Sequence, residues 1–254
     1  MRDAAPLPAP KSPLASPSGS GDEKSTGQAV RSMFAAVASR YDFLNHFLSL
    51  GRDIAWRNAT AKALHDVLER SGSVVVDLCC GTGDLSFAFA RYSAGVVVGA
   101  DFCRPMLQLA RRKARPRSGV LFLEADTLCL PLRDESADAV AMAFGLRNLA
   151  NYSRGVQEMR RVLRRGGSLA ILEFSQVRGP VVGSLFRFYF RHLLPRLGTW
   201  ISGVKGPYQY LPDSVSRFPD QESLAAFLRE KGFQEVRYLN FTGGIAALHM
   251  ALKP

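Results

Sequence analysis

The sequence lacks any run of about 20 uninterrupted apolar residues, which is the length that a membrane-spanning helix needs. Its longest apolar runs, such as residues 96–100, have the length of a strand. Cysteine is also scarce, with four in 254 residues, and no Cys-x-x-Cys or Cys/His spacing suits a zinc site. Thiols without such a pattern are typical of a reducing compartment, so we expect a cytoplasmic protein that binds no metal.

Residues 1–28 have no apolar periodicity and are rich in Ala, Pro, Ser and Gly. A segment of this composition buries too little apolar surface to order itself, so we expect a disordered tail. It also lacks the apolar centre of a secretory signal. An organelle transit peptide is the alternative, although Asp3, Asp22 and Glu23 are acidic residues that such peptides avoid.

The charge of the chain is unbalanced. Lys and Arg total 33, Asp and Glu total 22, and the formal net charge is +11. An excess of this size is compatible with binding to nucleic acid, with binding to an anionic membrane surface, or with a basic face in solvent. The charge by itself does not choose among these three.

From residue 29 onward, apolar patterns of helical and strand period alternate. An i, i+3, i+4, i+7 spacing predicts an amphipathic helix that begins at Ala29. Short apolar runs separated by helical patterns then indicate βαβ units and a parallel sheet. The predicted strands are Val74–Leu78, Val96–Ala100, Val120–Glu124, Ala137–Ala143 and Ser168–Glu173, and the predicted helices between residues 54 and 167 are Ile54–Leu68, Leu85–Tyr92, Pro105–Ala114 and one that Ser153 caps and Gly166-Gly167 end.

The last three predicted elements are a helix capped by Asp220 and two strands, Glu235–Asn240 and Ile245–Leu252. The Gly243-Gly244 connection between the strands suits a hairpin, so we expect the last strand to be antiparallel. The predicted fold class is therefore α/β. We expect a Rossmann-like, seven-stranded, mostly parallel sheet with the last strand antiparallel and helices on both faces.

The sharpest motif is a glycine-rich turn that directly follows the first predicted strand. Asp77 lies near the end of that strand, and Gly81-Thr82-Gly83 open the next helix. Ligands of open α/β sheets bind beyond the carboxyl ends of strands, and glycine lets the backbone approach a ligand closely. Asp101, about 20 residues further on, ends the second strand and suits hydrogen bonding to ribose hydroxyls.

The turn departs from the G-x-G-x-x-G fingerprint of dinucleotide sites, because Ser86 stands where the third glycine belongs. Asp84 also places negative charge where a phosphate would approach the helix. A cofactor with a cationic sulfonium and no phosphate fits better, so we expect S-adenosyl-L-methionine. The alternative is a tight strand-to-helix turn in another kind of α/β protein.

Two further strand ends add to the expected cofactor site. Ala125 and Asp126 follow the third strand, where a carboxylate can bond an adenine amino group and the backbone can border the ring. An acidic residue in a surface turn is the alternative reading of Asp126. Ala143 ends the fourth strand and is followed by Phe144, not by the Asn/Asp-Pro-Pro-aromatic motif of many amino-group methyltransferases. We therefore expect cofactor contacts here and no methylation of nucleic-acid amino groups.

Several short motifs are specific in combination. They include Tyr41-Asp42-Phe43-Leu44-Asn45, Trp56-Arg57, Asp77-Leu78-Cys79-Cys80-Gly81-Thr82-Gly83, Phe144-Gly145-Leu146-Arg147-Asn148, Glu173-Phe174-Ser175 and Thr242-Gly243-Gly244. With them, residues 29–254 resemble the quinone-ring C-methyltransferases of menaquinone and ubiquinone biosynthesis, the demethylmenaquinone methyltransferase family. The chain departs from the family at Asp53, where a histidine is frequent, so an imidazole is expected to be missing near the N-terminal helices.

The resemblance implies S-adenosylmethionine-dependent C-methylation of a prenylated quinol ring, foremost of demethylmenaquinol to menaquinol. The alternative is C-methylation in ubiquinone biosynthesis or of another apolar small molecule. Loss of a hydroxyl proton would make a phenolate whose ring carbon attacks the methyl group in a near-attack geometry. We expect Arg147 to stabilise that phenolate and Asn148 to hold a hydroxyl or a water. A salt bridge to a nearby acid is the alternative for Arg147, and Tyr41 suits either a cofactor contact or the core.

Residues 178–218 interrupt the alternation and are rich in aromatics and prolines, and we interpret them as an insertion or lid over the prenyl tail. Arg187, Arg191 and Arg196 interleave with the aromatics, which is compatible with docking on the anionic inner face of a membrane. An ordinary packed insertion or a homodimer contact is the alternative. A nucleic-acid partner is not expected, because the core domain lacks a basic run with interleaved stacking aromatics.

Overall fold

Seven strands form a single sheet in the computed structural model, which describes residues 23–114, 119–177 and 207–254. The strands are β1 (Val74–Leu78), β2 (Val96–Asp101), β3 (Val120–Glu124), β4 (Ala137–Ala143), β5 (Leu163–Phe174), β6 (Gln234–Phe241) and β7 (Ala246–Leu252). Their order across the sheet is β3-β2-β1-β4-β5-β7-β6. Strand β7 is antiparallel to both of its neighbours, and the pairs among β1–β5 are parallel. The predicted α/β class and antiparallel last strand are confirmed.

Helices cover both faces of this sheet. In the described ranges they are α1 (Glu23–Val37), α2 (Tyr41–Leu48), α3 (Arg52–Ala63), α4 (His65–Leu68), α5 (Asp84–Ala90), α6 (Arg104–Lys113), α7 (Tyr152–Val162), α8 (Pro207–Arg217) and α9 (Gln221–Glu230). Short 3₁₀ turns follow α1, β4 and β6. Not one of these described helices combines the length and the apolar character needed to cross a membrane.

Alternate residues of the central strands enter two separate hydrophobic clusters. Val140 and Met142 of β4 pack in the cluster that contains α7 and α9 side chains. Ala139 and Ala141 of the same strand pack in the cluster that contains side chains of α3, α4 and α5. Burial on both faces explains why the strands are nearly continuous apolar runs and why their bounds were predictable.

The first helix begins earlier than expected. Helix α1 starts at Glu23 and not at Ala29, so the predicted tail over residues 1–28 is wrong for residues 23–28. This turn is polar and therefore carries no apolar stripe. Its ordering comes from a distant contact, because the Glu23 carboxylate accepts hydrogen bonds from Asn151 Nδ2 at 2.7 Å and Arg154 Nη1 at 3.2 Å.

Two boundaries around α7 also differ from the prediction. Asn151 caps this helix, and its side chain accepts a backbone N–H of the first turn at 3.0 Å, so Ser153 is not the cap. The helix gives way to β5 at Leu163, and Gly166-Gly167 lie inside that strand instead of ending the helix. They form an irregularity in which the pairing with β4 moves from Leu163 to Ser168.

The remaining differences concern the regions before and after the core. The helix predicted over Ile54–Leu68 is divided at Leu64 into α3 and α4. Of the predicted insertion at residues 178–218, residues 207–217 form helix α8. Residues 178–206, with the three arginines assigned to membrane docking, lie outside the described residues.

Candidate active site

A cleft of about 760 Å³ opens beyond the carboxyl ends of β1, β2 and β4. Strand β1 lies between β2 and β4, so the chain changes direction across the sheet here, and ligands bind at such points. Helix α1 and the start of α2 contribute Val30, Phe34 and Tyr41 to the wall.

The turn after β1 has a left-handed backbone at Cys79, Gly81 and Gly83, with φ of 52°, 57° and 88°. Glycine adopts such values without steric cost. Gly81 lines the cleft, where the missing side chain leaves backbone exposed to a ligand. Gly83 caps α5, and a Cβ there would lie 3.0 Å from the rings of Phe87 and Phe122. The first glycine therefore serves the cleft and the second serves packing.

Asp101 lies at the end of β2 in the cleft wall and is buried. Its Oδ2 accepts the Gly81 N–H at 2.8 Å, and its Oδ1 accepts the Cys103 N–H at 2.7 Å. Burial raises the pKa of this carboxyl, and the backbone hydrogen bonds oppose that rise. Each oxygen has a further lone pair, so the carboxylate can also accept ribose hydroxyls.

Asp77 lies behind the glycine turn and outside the cleft wall. It is 1% exposed, and its Oδ2 accepts a hydrogen bond from Ser86 Oγ at 2.5 Å. Its Oδ1 has no partner within the described part of the chain, and burial raises its pKa to about 7. The structure thus shows Asp77 tying β1 to α5, and Asp77 is not among the residues that line the cleft.

Thr82 belongs to a polar network outside the cleft. Its Oγ1 donates to the Asp42 carboxylate and accepts from Lys113 Nζ at 3.2 Å. Lys113 also donates to Asp42 Oδ2 at 2.8 Å and to Asp84 Oδ1 at 2.7 Å. We call these four residues the Lys113 latch, since they join helix α2 to the glycine turn. The Asp84 charge is balanced here, so it does not by itself argue against a phosphate ligand.

The residues at the end of β3 and directly after it differ in role, because some line the cleft and one forms ion pairs with neighbouring helices. Ala125 and Asp126 line the cleft as predicted, and Asp126 keeps an exposed carboxylate. Glu124 instead forms ion pairs with Arg31 of α1 at 3.0 Å and Arg104 of α6 at 2.7 Å. The hydrogen bond from Arg104 lowers the pKa of Glu124. Of these two carboxylates, Asp126 is therefore the one that lines the cleft.

The residues after β4 form the other side of the cleft. Ala143, Phe144 and Asn148 line it, and Phe144 has a left-handed φ of 58°. Asn148 Nδ2 donates to the Phe144 carbonyl at 3.1 Å, and Asn148 Oδ1 accepts from Tyr210 Oη at 3.1 Å. Both ends of the amide are thereby held, so its orientation toward the cleft is set by protein contacts.

Arg147 points into the protein and does not line the cleft. Its Nη1 donates to Glu173 Oε1 at 2.6 Å and to the Phe144 carbonyl at 2.7 Å, and the two charged side chains are 6% and 1% exposed. The structure therefore shows Arg147 in a salt bridge, which was the alternative to direct contact with the substrate. Burial raises the pKa of Tyr41 and Tyr210, and the Arg147 charge is the largest influence that opposes this rise.

Position 53, where the family frequently has a histidine, is an aspartate here, but helix α2 places the imidazole of His46 beside it. His46 Nδ1 lies 2.8 Å from Asp53 Oδ2, and Arg57 pairs with the same carboxylate. Ligand atoms of His46, Asp53 and Asp84 all lie within 4.8 Å of one another. Arg57 and Lys113 already balance the two carboxylates, so the cluster is an ion-pair network that stabilises α2 against α3 and α5.

Sequence reasoning missed three polar contributors to the site: Glu23, Lys113 and Glu173. Each acts through a partner far along the chain, and Lys113 bonds Asp42 across 71 residues. The only local signal for Lys113 was its place in the last turn of α6, which predicts no more than a favourable interaction with the helix dipole. Tyr41, for which two roles were open, lies in the cleft wall.

The charges of the cleft wall favour one class of ligand. Among the described residues the wall contains the carboxylates of Glu23, Asp101 and Asp126 and no Lys or Arg. A phosphate would be repelled by these carboxylates and would find no counter-charge. Adenosine joined to a cationic sulfonium suits them, because its hydroxyl and amino groups can donate to carboxylates and its positive charge is attracted by them. Together with the sheet order, the site defines a class I methyltransferase that uses S-adenosyl-L-methionine.

Comparison with known proteins agrees with this class and narrows it. The model of the ubiE/COQ5 methyltransferase family matches residues 21–253, and the chain belongs to that family. A demethylmenaquinone methyltransferase of Deinococcus radiodurans is 46% identical over 90% of this chain and 94% of its own length. A ubiquinone/menaquinone biosynthesis C-methyltransferase of Syntrophotalea carbinolica is 41% identical over 88% and 93%. The crystal structure of a SAM-dependent methyltransferase from Aquifex aeolicus shares the fold, with a TM-score of 0.56, 19% identity and coverage of 77% and 89%.

Proposed function

We propose that this enzyme transfers a methyl group from S-adenosyl-L-methionine to a ring carbon of a prenylated quinol, foremost of demethylmenaquinol to give menaquinol. The name of the Deinococcus radiodurans relative supports the naphthoquinol. The name of the Syntrophotalea carbinolica relative makes the benzoquinol of ubiquinone biosynthesis the second candidate.

The observation that carries this proposal is the position of Asn148 in the cleft. Its amide is held by the Phe144 carbonyl and Tyr210 Oη, and the neighbouring wall residues Leu149 and Ala150 are apolar. A polar amide beside apolar wall residues suits a hydroquinone, which has ring hydroxyls on an otherwise apolar ring. An anionic acceptor would find no Lys or Arg among the described wall residues to compensate for its lost water.

The cofactor supplies an electrophilic methyl group when it is bound. The part of the protein is to make the ring carbon nucleophilic, which requires loss of a hydroxyl proton. Asn148 Nδ2 has a second N–H besides the one bonded to Phe144, and we assign it to the ring oxygen. Tyr41 stays protonated because burial raises its pKa, so it can donate a hydrogen bond. The Arg147 charge favours the phenolate through space.

We assign the cofactor contacts to the predicted residues that line the cleft. The remaining predicted residues support the turn that presents the backbone to the cofactor. The first group is Gly81, Asp101, Ala125, Asp126 and Ala143, and the second is Asp77, Thr82 and Gly83.

We also propose that the enzyme works in the cytoplasm at the inner face of the membrane. Its four cysteines are free, which suits a reducing compartment. The prenyl tail of the proposed substrate partitions into a bilayer, so the acceptor would be met at the membrane surface.

The test combines activity in solution with quinone composition in cells. Purified protein is given S-adenosyl-L-methionine with a labelled methyl group and either a demethylated naphthoquinol or a demethylated benzoquinol under reducing conditions. We expect label on a ring carbon of the naphthoquinol and its loss in the Asp101→Ala variant. In a strain without its own enzyme, the chain should restore menaquinone. Transfer to neither quinol, or label on oxygen or nitrogen, would refute the proposal.

A further inference from the structure

We propose that an exposed apolar surface on α2 and α3 docks this enzyme on an anionic phospholipid bilayer. The docking face consists of Phe43, Phe47, Leu50 and Ile54, which are 59%, 47%, 85% and 45% exposed. Single exposed apolar residues are ordinary on protein surfaces, but four large ones in one helix–turn–helix segment form a patch. The inference rests on the proposed function, because a bilayer is where a prenylated quinol is found.

The docking face is organised by the backbone on which it lies. Phe43 and Phe47 are one turn apart on α2, and their rings stack at a centroid distance of 5.9 Å. Leu50 lies in the turn between the helices, and Ile54 lies in the first turn of α3. The four exposed side chains therefore lie within one helix–turn–helix segment, and apolar side chains on such a segment can enter the boundary between headgroups and acyl chains.

Leu50 has a conformation that packing does not explain. Its φ is 53°, in the left-handed region that disfavours residues other than Gly, Asn and Asp. Its side chain is nearly fully exposed, so no side-chain packing within the described ranges compensates for the disfavoured backbone. A polar residue or glycine would suit this turn better in water, which points to an apolar partner outside the chain.

The charges around the docking face identify that partner. Between residues 38 and 65, the exposed Lys and Arg side chains are Arg40, Arg52 and Lys62. The acidic residues of this segment are balanced by cations: Asp42 pairs with Lys113, and Asp53 pairs with Arg57. An apolar face in a segment with exposed cations is complementary to anionic lipid. A symmetric contact between two copies would instead bring the cations of both segments together.

The docking face is also close to the site. Tyr41 begins the same helix α2 and lies in the cleft wall, while Phe43 and Phe47 are exposed. Helix α2 therefore contributes residues both to the cleft wall and to the docking face. A quinol ring leaving the bilayer would have a short path to Asn148.

The experiment measures binding to vesicles by cosedimentation, with equal parts of phosphatidylglycerol and phosphatidylcholine or with phosphatidylcholine alone. The test variant is Phe47→Gln/Leu50→Asn, in which Gln suits a helix and Asn suits a left-handed φ, so folding is preserved. The matched control is Leu121→Thr/Leu239→Thr, which changes two exposed leucines on the edge strands β3 and β6. Methyl transfer to a water-soluble quinol without a prenyl tail is measured for all three proteins.

We expect wild type and control to bind the anionic vesicles and the test variant to bind at least about tenfold more weakly, since two large apolar side chains no longer leave water. Methylation of the soluble quinol should be equal in all three. Equal vesicle binding by test variant and control would refute the proposal that the docking face binds lipid. The proposal would also be refuted if light scattering showed a wild-type dimer and a monomeric test variant, because the face would then be a dimer contact. Failure of wild type to methylate any quinol would refute the proposed function instead, because it is read out separately from vesicle binding.

Discussion

Replacing Glu173 with Gln should strongly destabilise the protein, because it leaves the Arg147 guanidinium without a counter-charge. The two side chains are 6% and 1% exposed and meet at 2.6 Å, so water cannot replace the carboxylate. Removal of one partner from a buried pair costs about 3–5 kcal/mol. The glutamine oxygen still accepts a hydrogen bond, so we expect about 3 kcal/mol, or roughly two decades in the unfolding equilibrium constant.

Urea denaturation followed by circular dichroism measures this cost. The comparison set is wild type, Glu173→Gln, Glu173→Leu, Arg147→Met and the double variant Arg147→Met/Glu173→Leu. An apolar pair can replace a buried ion pair at little cost, so the double variant should be more stable than Glu173→Gln. A loss below about 1 kcal/mol in Glu173→Gln, or a double variant equal to the sum of its parts, would refute the reasoning.

The double variant also separates folding from chemistry. It should fold almost as well as wild type but lack the Arg147 guanidinium together with its Glu173 counter-charge. We expect its kcat to fall about tenfold, less than the roughly 10²-fold effect of removing a group in direct contact with a developing anion, with S-adenosyl-L-methionine affinity unchanged. An unchanged kcat per folded molecule would confine Arg147 to a structural role.

Three further predictions concern the acceptor, the latch and pH. Asn148→Ala should lower kcat about 10²-fold while calorimetry shows unaltered cofactor affinity; equal loss of both would mean that the amide holds the cofactor. Lys113→Met should weaken cofactor binding only about two- to fivefold, since its ion pairs with Asp42 and Asp84 are partly exposed and each contributes about 0.2–1 kcal/mol. Added salt should lower the cofactor affinity of the wild type toward that of this variant. If the cofactor affinity of Lys113→Met keeps the same salt dependence, the proposed role of the Lys113 latch is contradicted. Burial raises the pKa of Asp77 from 3.8 to about 7, so stability is highest with the carboxyl protonated and falls as pH rises from about 4 to about 7. Asp77→Asn should remove most of that fall, on the order of 3 kcal/mol in urea titrations, and an equally steep fall in the variant would assign it to another group.

The sheet was predictable because its signals are local. Strands β1, β3 and β4 have the bounds that their apolar runs predicted. For the central strands β1 and β4 the reason is burial on both faces, which makes a strand continuous in apolar residues. Boundaries failed where polar contacts decide them. Helix α1 begins at Glu23 because distant Asn151 and Arg154 donate to its carboxylate, and no periodicity within the helix records those partners.

The sequence alone determined the fold class, the glycine turn and the set of acidic residues at strand ends. The tertiary structure decided which of those acids meet the cleft: Asp101 and Asp126 do, whereas Asp77 and Glu124 are taken by other elements. It also turned Arg147 inward to a buried carboxylate. The physical reason is that backbone conformation follows from neighbouring residues, whereas a charged side chain pairs with whichever partner the packed elements place within reach.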